Sequence, residues 1–407
     1  MPRPLLFLTL LALAACADAV EPTASAGPAR EALGARGTPS GYIVVLKESG
    51  GEAPGIARGR AANVAAAVGA RASHLYGGVL QGFAAELNPA QLAALRGRPD
   101  VAYVEPDAPV RLFTTQANPI SWGLDRIDDT NLPLDQTFTF TNTGAGVTAY
   151  VLDTGINLNH LDVVGRAAYI ANGSNGDFVG DGHGSAADCH GHGSHVAGTV
   201  GGTYSGVAKG VSIRAGRVVN CTGGGTASMA IAGMDWIRLN GVKPAVVNMS
   251  LGYGNLSSVR TAASNLVAAG YTLVAAAGNG DFAGTPIDAC TESPAGAPTV
   301  ITVGSTTSTD TESSFSNYGS CVDILAPGSG IYSSDYLVTN QVVPKSGTSM
   351  ASPHVAGVAA QYLQTHPTAT PGAVWKAIFI NAVSGTITRH RLSIAYGTPN
   401  LFLFTNY

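Results

Sequence analysis

Four short, mostly apolar runs, Val147–Leu152, Val246–Met249, Thr272–Ala276 and Thr299–Val303, recur along the chain with helix-compatible segments among them: Ser194–Gly201, Ala227–Arg238, Val259–Ala269 and His354–Leu363. A strand with one face in water alternates apolar and polar residues, whereas a strand apolar on both sides has to be covered on both. Such strands separated by helices predict an α/β architecture, a parallel sheet flanked by helices on both faces. No repeat at a fixed period is present. The 52 glycines and scarce charges suit a compact fold rich in tight turns.

The chain before residue 114 has a different texture. Arg3, the apolar run Leu5–Leu13 and the small residues after it predict an export signal over residues 1–19. That run is too short to span a bilayer, and no later segment reaches about 18 apolar residues. Leu13-Ala14-Ala15-Cys16 also fits a bacterial lipoprotein cleavage box, which would anchor a precursor through Cys16. Residues 20–40, rich in Ala, Gly, Pro and Glu, read as a linker. Strand-like Tyr42–Lys47, helical Ala57–Val68, strand-like Gly78–Leu87, helical Ala90–Arg96 behind Asn88-Pro89, and strand-like Val101–Val104 then predict a small α+β module.

Of five cysteines, Cys16 falls in the signal, which leaves Cys189, Cys221, Cys290 and Cys321, an even set for an oxidising compartment. Two disulfides follow, and the sequence alone leaves three pairings open. A net charge of −4 argues against nucleic acid or an anionic membrane surface as the main partner.

Chemistry gathers at the ends of the apolar runs. Ala149–Leu152 leads into Asp153-Thr154-Gly155, a carboxylate at the carboxyl end of a strand, where open α/β sheets place functional groups. His190-Gly191-His192-Gly193-Ser194-His195 opens a helix and offers three imidazoles as general base. Val274–Ala277 ends in Gly278-Asn279, an amide able to donate to a developing oxyanion. Gly347-Thr348-Ser349-Met350-Ala351-Ser352-Pro353-His354 sets a serine between small residues at the mouth of a helix, whose free N–H groups stabilise an adjacent anion. Taken singly, each has an ordinary structural explanation as a cap or turn.

Together they follow the order Asp, His, Asn, Ser, the order of the subtilisin catalytic groups. On these motifs the chain resembles the subtilases, in particular the secreted proteinase K and aqualysin type, from Tyr42 to the C-terminus. The resemblance implies that Asp153 orients the imidazole, His192 is base and then acid, and Ser349 is the nucleophile. Asn279 and the Ser349 N–H would form the oxyanion hole. The family pattern G-H-G-[ST]-H selects His192, with Ser194 replacing the commoner Thr. The three side chains would have to meet in one hydrogen-bonded row.

The same resemblance implies that protein substrates add as a strand between Gly223-Gly224-Gly225 and Ser250-Leu251-Gly252. Glu292 stands where close relatives carry Tyr at the floor of the pocket for the residue before the scissile bond. A carboxylate there can favour Lys or Arg, shrink the pocket, or turn to solvent. The module at 41–113 resembles the family's ferredoxin-like inhibitory propeptide, cut in Leu112-Phe113-Thr114-Thr115, a stretch with no basic residue, to leave a peptidase over 114–407. By resemblance the disulfides are Cys189–Cys221 and Cys290–Cys321. Calcium is the implied cofactor, at one site built from the Pro298 and Val300 carbonyls with Asp323, and at a second from Asp125, Asp128, Asp129 and Asp135. The mature form would be a secreted monomer without stable membrane association.

Three rival readings have discriminating features. A zinc site from Cys189, His190, His192 and His195 lacks the usual ligand spacings. A non-catalytic binding protein would not need all four catalytic residue types. An α/β-hydrolase needs Gly where Ala351 stands, and a different residue order.

Overall fold

A computed structural model describes residues 41–48, 51–107, 114–281 and 283–407. The expected export signal, Cys16, the linker, and Leu112 and Phe113 of the expected cleavage stretch lie outside the described residues. The chain divides into two compact units, residues 1–109 and 110–407.

In the first unit, β1 (Gly41–Leu46), α1 (Pro54–Ala67), β2 (Ala72–Tyr76), β3 (Gly82–Glu86), α2 (Pro89–Arg96) and β4 (Val101–Pro106) form an antiparallel sheet of order β2-β3-β1-β4 with two helices. Val44, Leu46, Val64, Phe83 and Leu95 fill its core. Asn88 caps α2 in a box with Gln91, which fixes the helix start at Pro89. The single strand expected over Gly78–Leu87 is instead β3 alone, and β2 precedes it. β2 is an edge strand with a largely exposed Ala-Ser-His-Leu-Tyr sequence, so burial left no alternation to read.

The second unit opens with β5 (Thr114–Ala117), α3 (Trp122–Asp128) and β6 (Thr137–Phe140), β5 and β6 pairing antiparallel. Then come β7 (Thr148–Asp153), β8 (Ala167–Tyr169), α4 (His192–Gly201), β9 (Ser212–Arg217), α5 (Ala227–Asn240), β10 (Ala245–Met249), α6 (Ser257–Ala268) and β11 (Thr272–Ala276). The chain continues through β12 (Ile301–Thr306), β13 (Ile324–Pro327), the hairpin β14 (Ile331–Ser334) and β15 (Val342–Lys345), and α7 (Thr348–Thr365). It closes with α8 (Pro371–Asn381), β16 (Val383–Ser384), α9 (Arg391–Ala395) and β17 (Leu401–Phe402).

The main sheet has the order β16-β17-β13-β12-β11-β10-β7-β9-β8, parallel throughout except for β16 against β17. One apolar cluster includes α4 and α7 residues, and a second includes α5 and α6 residues. The α/β expectation therefore holds. After β7 the chain moves out to β8 and β9, then returns to β10 on the other side of β7. The carboxyl ends of β7 and β10 meet at this switch point, where open α/β sheets gather their functional groups.

Helix α7 starts six residues before the expected His354, because Pro353 lies inside it. Proline lacks the N–H that would bond the carbonyl four residues back, here Ser349. That carbonyl accepts instead from Ser250 Oγ at 2.9 Å, so the helix runs through the proline and takes Ser349 into its first turn. The disulfides are Cys189–Cys221 and Cys290–Cys321.

Candidate active site

Asp153 ends β7, buried at 1% exposure. Its Oδ1 accepts from the Thr154 N–H at 2.7 Å and meets His192 Nδ1 at 2.7 Å. His192 is the first residue of α4. Gly191 before it has φ +91°, a backbone state that suits glycine. Gly193 after it lies so close to the Gly155 carbonyl that any Cβ would collide, so the glycines let the helix start touch the strand end. Burial lowers the His192 pKa, and the charge and hydrogen bond of Asp153 more than reverse this, so the imidazole titrates above its ordinary value.

The other two imidazoles are placed differently. His195 is fully buried, its Nε2 within reach of the Ile331 and Val343 carbonyls, and burial pushes it down to about 3. The His190 ring lies tilted against that of His192, centroids 6.4 Å apart, and its Nδ1 has no partner among the described residues. Cys189 is bonded to Cys221, which removes the thiolate from the zinc alternative.

Ser349 stands in the first turn of the 18-residue α7. Its Oγ donates to the Ser250 carbonyl at 3.1 Å. The expected row is thus half made: Asp153 and His192 are joined, whereas no hydrogen bond links His192 to Ser349 among the described residues. The Ser250 carbonyl is the acceptor available without substrate, and catalytic contacts often tighten only when substrate arrives. Asn279 follows β11, and its Oδ1 accepts from the Thr348 N–H at 2.8 Å and Thr348 Oγ1 at 2.9 Å. That assigns the amide orientation and leaves Nδ2 without a partner among the described residues, on the side where α7 begins.

A cavity of about 390 Å³ is lined by Asp153, His192, Gly223–Gly225 and Ser250–Gly252, among others. The structure so brings both expected edge segments to one cleft. Glu292 lies beside it: its Oε2 accepts from the Gly254 N–H at 3.0 Å, which ties the carboxylate to the loop after Gly252.

Several residues that the sequence did not mark support these groups. Asp188 Oδ1 accepts from the N–H groups of His190 and Gly191 and from Thr154 Oγ1, while its Oδ2 accepts from the Ser194 N–H. It clamps the start of α4 to the end of β7. Asn248, buried in β10, donates to Ser250 Oγ at 2.9 Å and accepts from Ser352 Oγ at 2.7 Å, which couples the β10 end to α7. The only advance signal was position: an Asp just before a helix, and an Asn inside an apolar strand.

Of the second acidic group, Asp125, Asp129 and Asp135 bring carboxylate oxygens within 4.8 Å of one another. Asp128 stands apart from that set, its Oδ2 accepting from the Thr139 N–H at 2.6 Å. Burial, then the neighbouring Asp129 and Asp135, push Asp125 up to about 6; burial likewise takes Asp128 up to about 7. Oδ1 of each is buried without a partner among the described residues, an arrangement a hard cation would relieve. Pro298, Val300 and Asp323 line one cavity of about 380 Å³. Asp323, pushed up to about 6 by burial, accepts from the Thr302 N–H at 2.8 Å and Trp375 Nε1 at 3.3 Å.

A braced imidazole, a serine at a helix mouth and a free amide, all at the carboxyl edge of a parallel sheet, define a site for nucleophilic hydrolysis. The Subtilase family pattern matches residues 144–398 and the Peptidase inhibitor I9 pattern residues 41–113, and the chain belongs to the subtilase family of serine endopeptidases. The Extracellular serine proteinase of Thermus sp. (strain Rt41A) is 45% identical over 99% of this chain and 98% of its own. Proteinase R of Parengyodontium album is 38% identical over 96% and 95%. A crystal structure of a cold adapted subtilisin-like serine proteinase, 46% identical, superposes with a TM-score of 0.65 and covers 72% of this chain and 100% of that one.

Proposed function

We propose that this chain is a secreted endopeptidase of broad preference that cleaves peptide bonds through an acyl-enzyme on Ser349. Substrate pairs as an added strand along Ser250–Gly252 and Gly223–Gly225, where the glycines let two backbones approach. His192 Nε2 takes the Ser349 Oγ proton as Oγ bonds the scissile carbonyl carbon, and Asp153 stabilises the imidazolium through Nδ1–H. The charge formed on the carbonyl oxygen is met by Asn279 Nδ2 and the Ser349 N–H. His192 then protonates the leaving amine, and water repeats the sequence to release the acid. The observation that carries this reading is the 2.7 Å Asp153–His192 contact in a cleft edged by both substrate-binding segments.

Glu292 acts as a brace for the loop at Gly254 rather than as a counter-ion for Lys or Arg. Residues 41–113 template and then block the peptidase at 114–407, and any lipid on Cys16 stays with the discarded segment. Asp125, Asp129 and Asp135 would hold one calcium, with Asp128 braced on the Thr139 N–H outside that set, and the Pro298 and Val300 carbonyls with Asp323 would hold another. Each supplies positive charge that offsets buried carboxylates. The mature enzyme acts as a monomer on proteins, without nucleic acid.

A purified, active preparation tests the reading. It should be titrated stoichiometrically by a serine-directed fluorophosphonate, and Ser349→Ala should lose all peptide hydrolysis and accumulate unprocessed precursor. Residual hydrolysis in Ser349→Ala would remove the nucleophile assignment.

A further inference from the structure

The extended segment after β10 presents two sides. On one, a Cβ added to Gly252 would stand 2.9 Å from Glu292 Oε2, and Glu292 Cγ lies 3.6 Å from where a Cβ on Gly278 would be. On the other, Leu251 and Tyr253 both pack against the apolar cluster that includes α5 and α6 residues. This is the period-two alternation of extended backbone. Tyr253 also lines the 390 Å³ cleft with Asp153, His192, Val219 and Gly225, and it is the largest side chain there.

Its mounting is fixed. The Tyr253 N–H donates to the Ser293 carbonyl at 2.9 Å, and the Gly254 N–H donates to Glu292 Oε2 at 3.0 Å. The hydroxyl has no hydrogen-bond partner among the described residues, so packing positions the ring. Gly223–Gly225, also lining the cleft, contribute no side chains that could narrow it.

We propose that Tyr253 sets the bore of the subsite for a substrate residue upstream of the scissile bond, the second or the fourth, and restricts it to small side chains. The position follows from alternation. The residue just before the cut faces Glu292 and Gly278, next to Asn279, so even-numbered residues turn toward Leu251 and Tyr253. The proposal rests on the peptidase reading above.

Peptide libraries varied at the four positions before the cut test it, with mature wild type, Tyr253→Ala, Tyr253→Phe and Tyr253→Trp. Tyr253→Ala should raise kcat/KM for large apolar residues over Ala by about tenfold or more at position two or four, and leave the position before the cut unchanged. Tyr253→Phe should keep the wild-type profile, and Tyr253→Trp should tighten it. Fluorophosphonate titration counts competent sites in each, so an inactive wild type would count against the peptidase reading, not this one. The proposal is overturned if Tyr253→Ala and wild type share one profile at every position, or if Tyr253→Phe already shows the shift. If Tyr253→Ala does not accumulate, Tyr253→Leu against Tyr253→Trp decides by the same comparison.

Discussion

Asp125→Asn is expected to reverse the sign of its stability effect with calcium. In the metal-free protein the Asp125 carboxyl is only 5% exposed and titrates at about 6, raised by burial and by Asp129 and Asp135. The unfolded chain titrates near 3.8, so the proton is held more tightly when folded. Stability from this group is therefore full below that value and is lost as pH rises through about 6. Above it the ionised carboxylate opposes folding by about 3 kcal/mol. The variant removes that charge. In chelator at pH 8 it should gain up to about 3 kcal/mol, on the order of 5–10 °C in Tm for a domain of this size. At pH 5 the gain should shrink, because wild-type Asp125 is then largely protonated. With saturating calcium the substitution would delete a charged oxygen of the proposed cation site, and the variant should unfold below wild type. Thermal unfolding of fluorophosphonate-inactivated mature enzyme, in EDTA and in calcium, reads all of this without autolysis. A shift of the same sign at pH 8 with and without calcium would refute the reasoning.

Asn279→Ala should lower kcat by about 10²–10³, the loss measured for an amide donor of this kind in a subtilisin, with KM little changed; an unaltered kcat would remove Asn279 from the oxyanion site. Because Asp153 holds His192 above its ordinary value of 6.5, kcat/KM should climb with an apparent midpoint above that value. Asp153→Asn should move this acid limb to lower pH and depress the plateau, and an unmoved limb would separate the two residues. Asn248→Ala leaves the Ser352 hydroxyl without its acceptor and takes one donor from Ser250 Oγ, and should destabilise by about 2–3 kcal/mol in urea unfolding, where a change below about 0.5 kcal/mol would deny the network weight.

How much of this was legible depended on how local the signal was. Thr272–Ala276 is read at its true bounds because every residue is buried. β12 starts at Ile301 rather than Thr299, since the Val300 N–H closes a turn onto the Ala297 carbonyl. β9, Ser-Ile-Arg-Ala-Gly-Arg, escaped notice because its arginines look solvated, yet Arg217 is fully buried between Asp177 and Asp181. Asp153, His192, Asn279 and Ser349 carry local motifs. Asp188 and Asn248 join near neighbours to one distant partner each, Thr154 and Ser352, and Thr348 and Tyr253 bond only across the fold, so no single window of sequence contains their role.

The serine's helix carries a proline that frees one carbonyl, and the hydroxyl that takes it lies 99 residues earlier. The two serines exchange bonds, each hydroxyl donating to the other's carbonyl, so the mounting of the nucleophile draws on both segments. The nucleophile is therefore mounted only by correct tertiary assembly, and a half-folded chain carries its cutting edge in pieces. Protection against premature cleavage is written into the connectivity itself, ahead of any inhibitor.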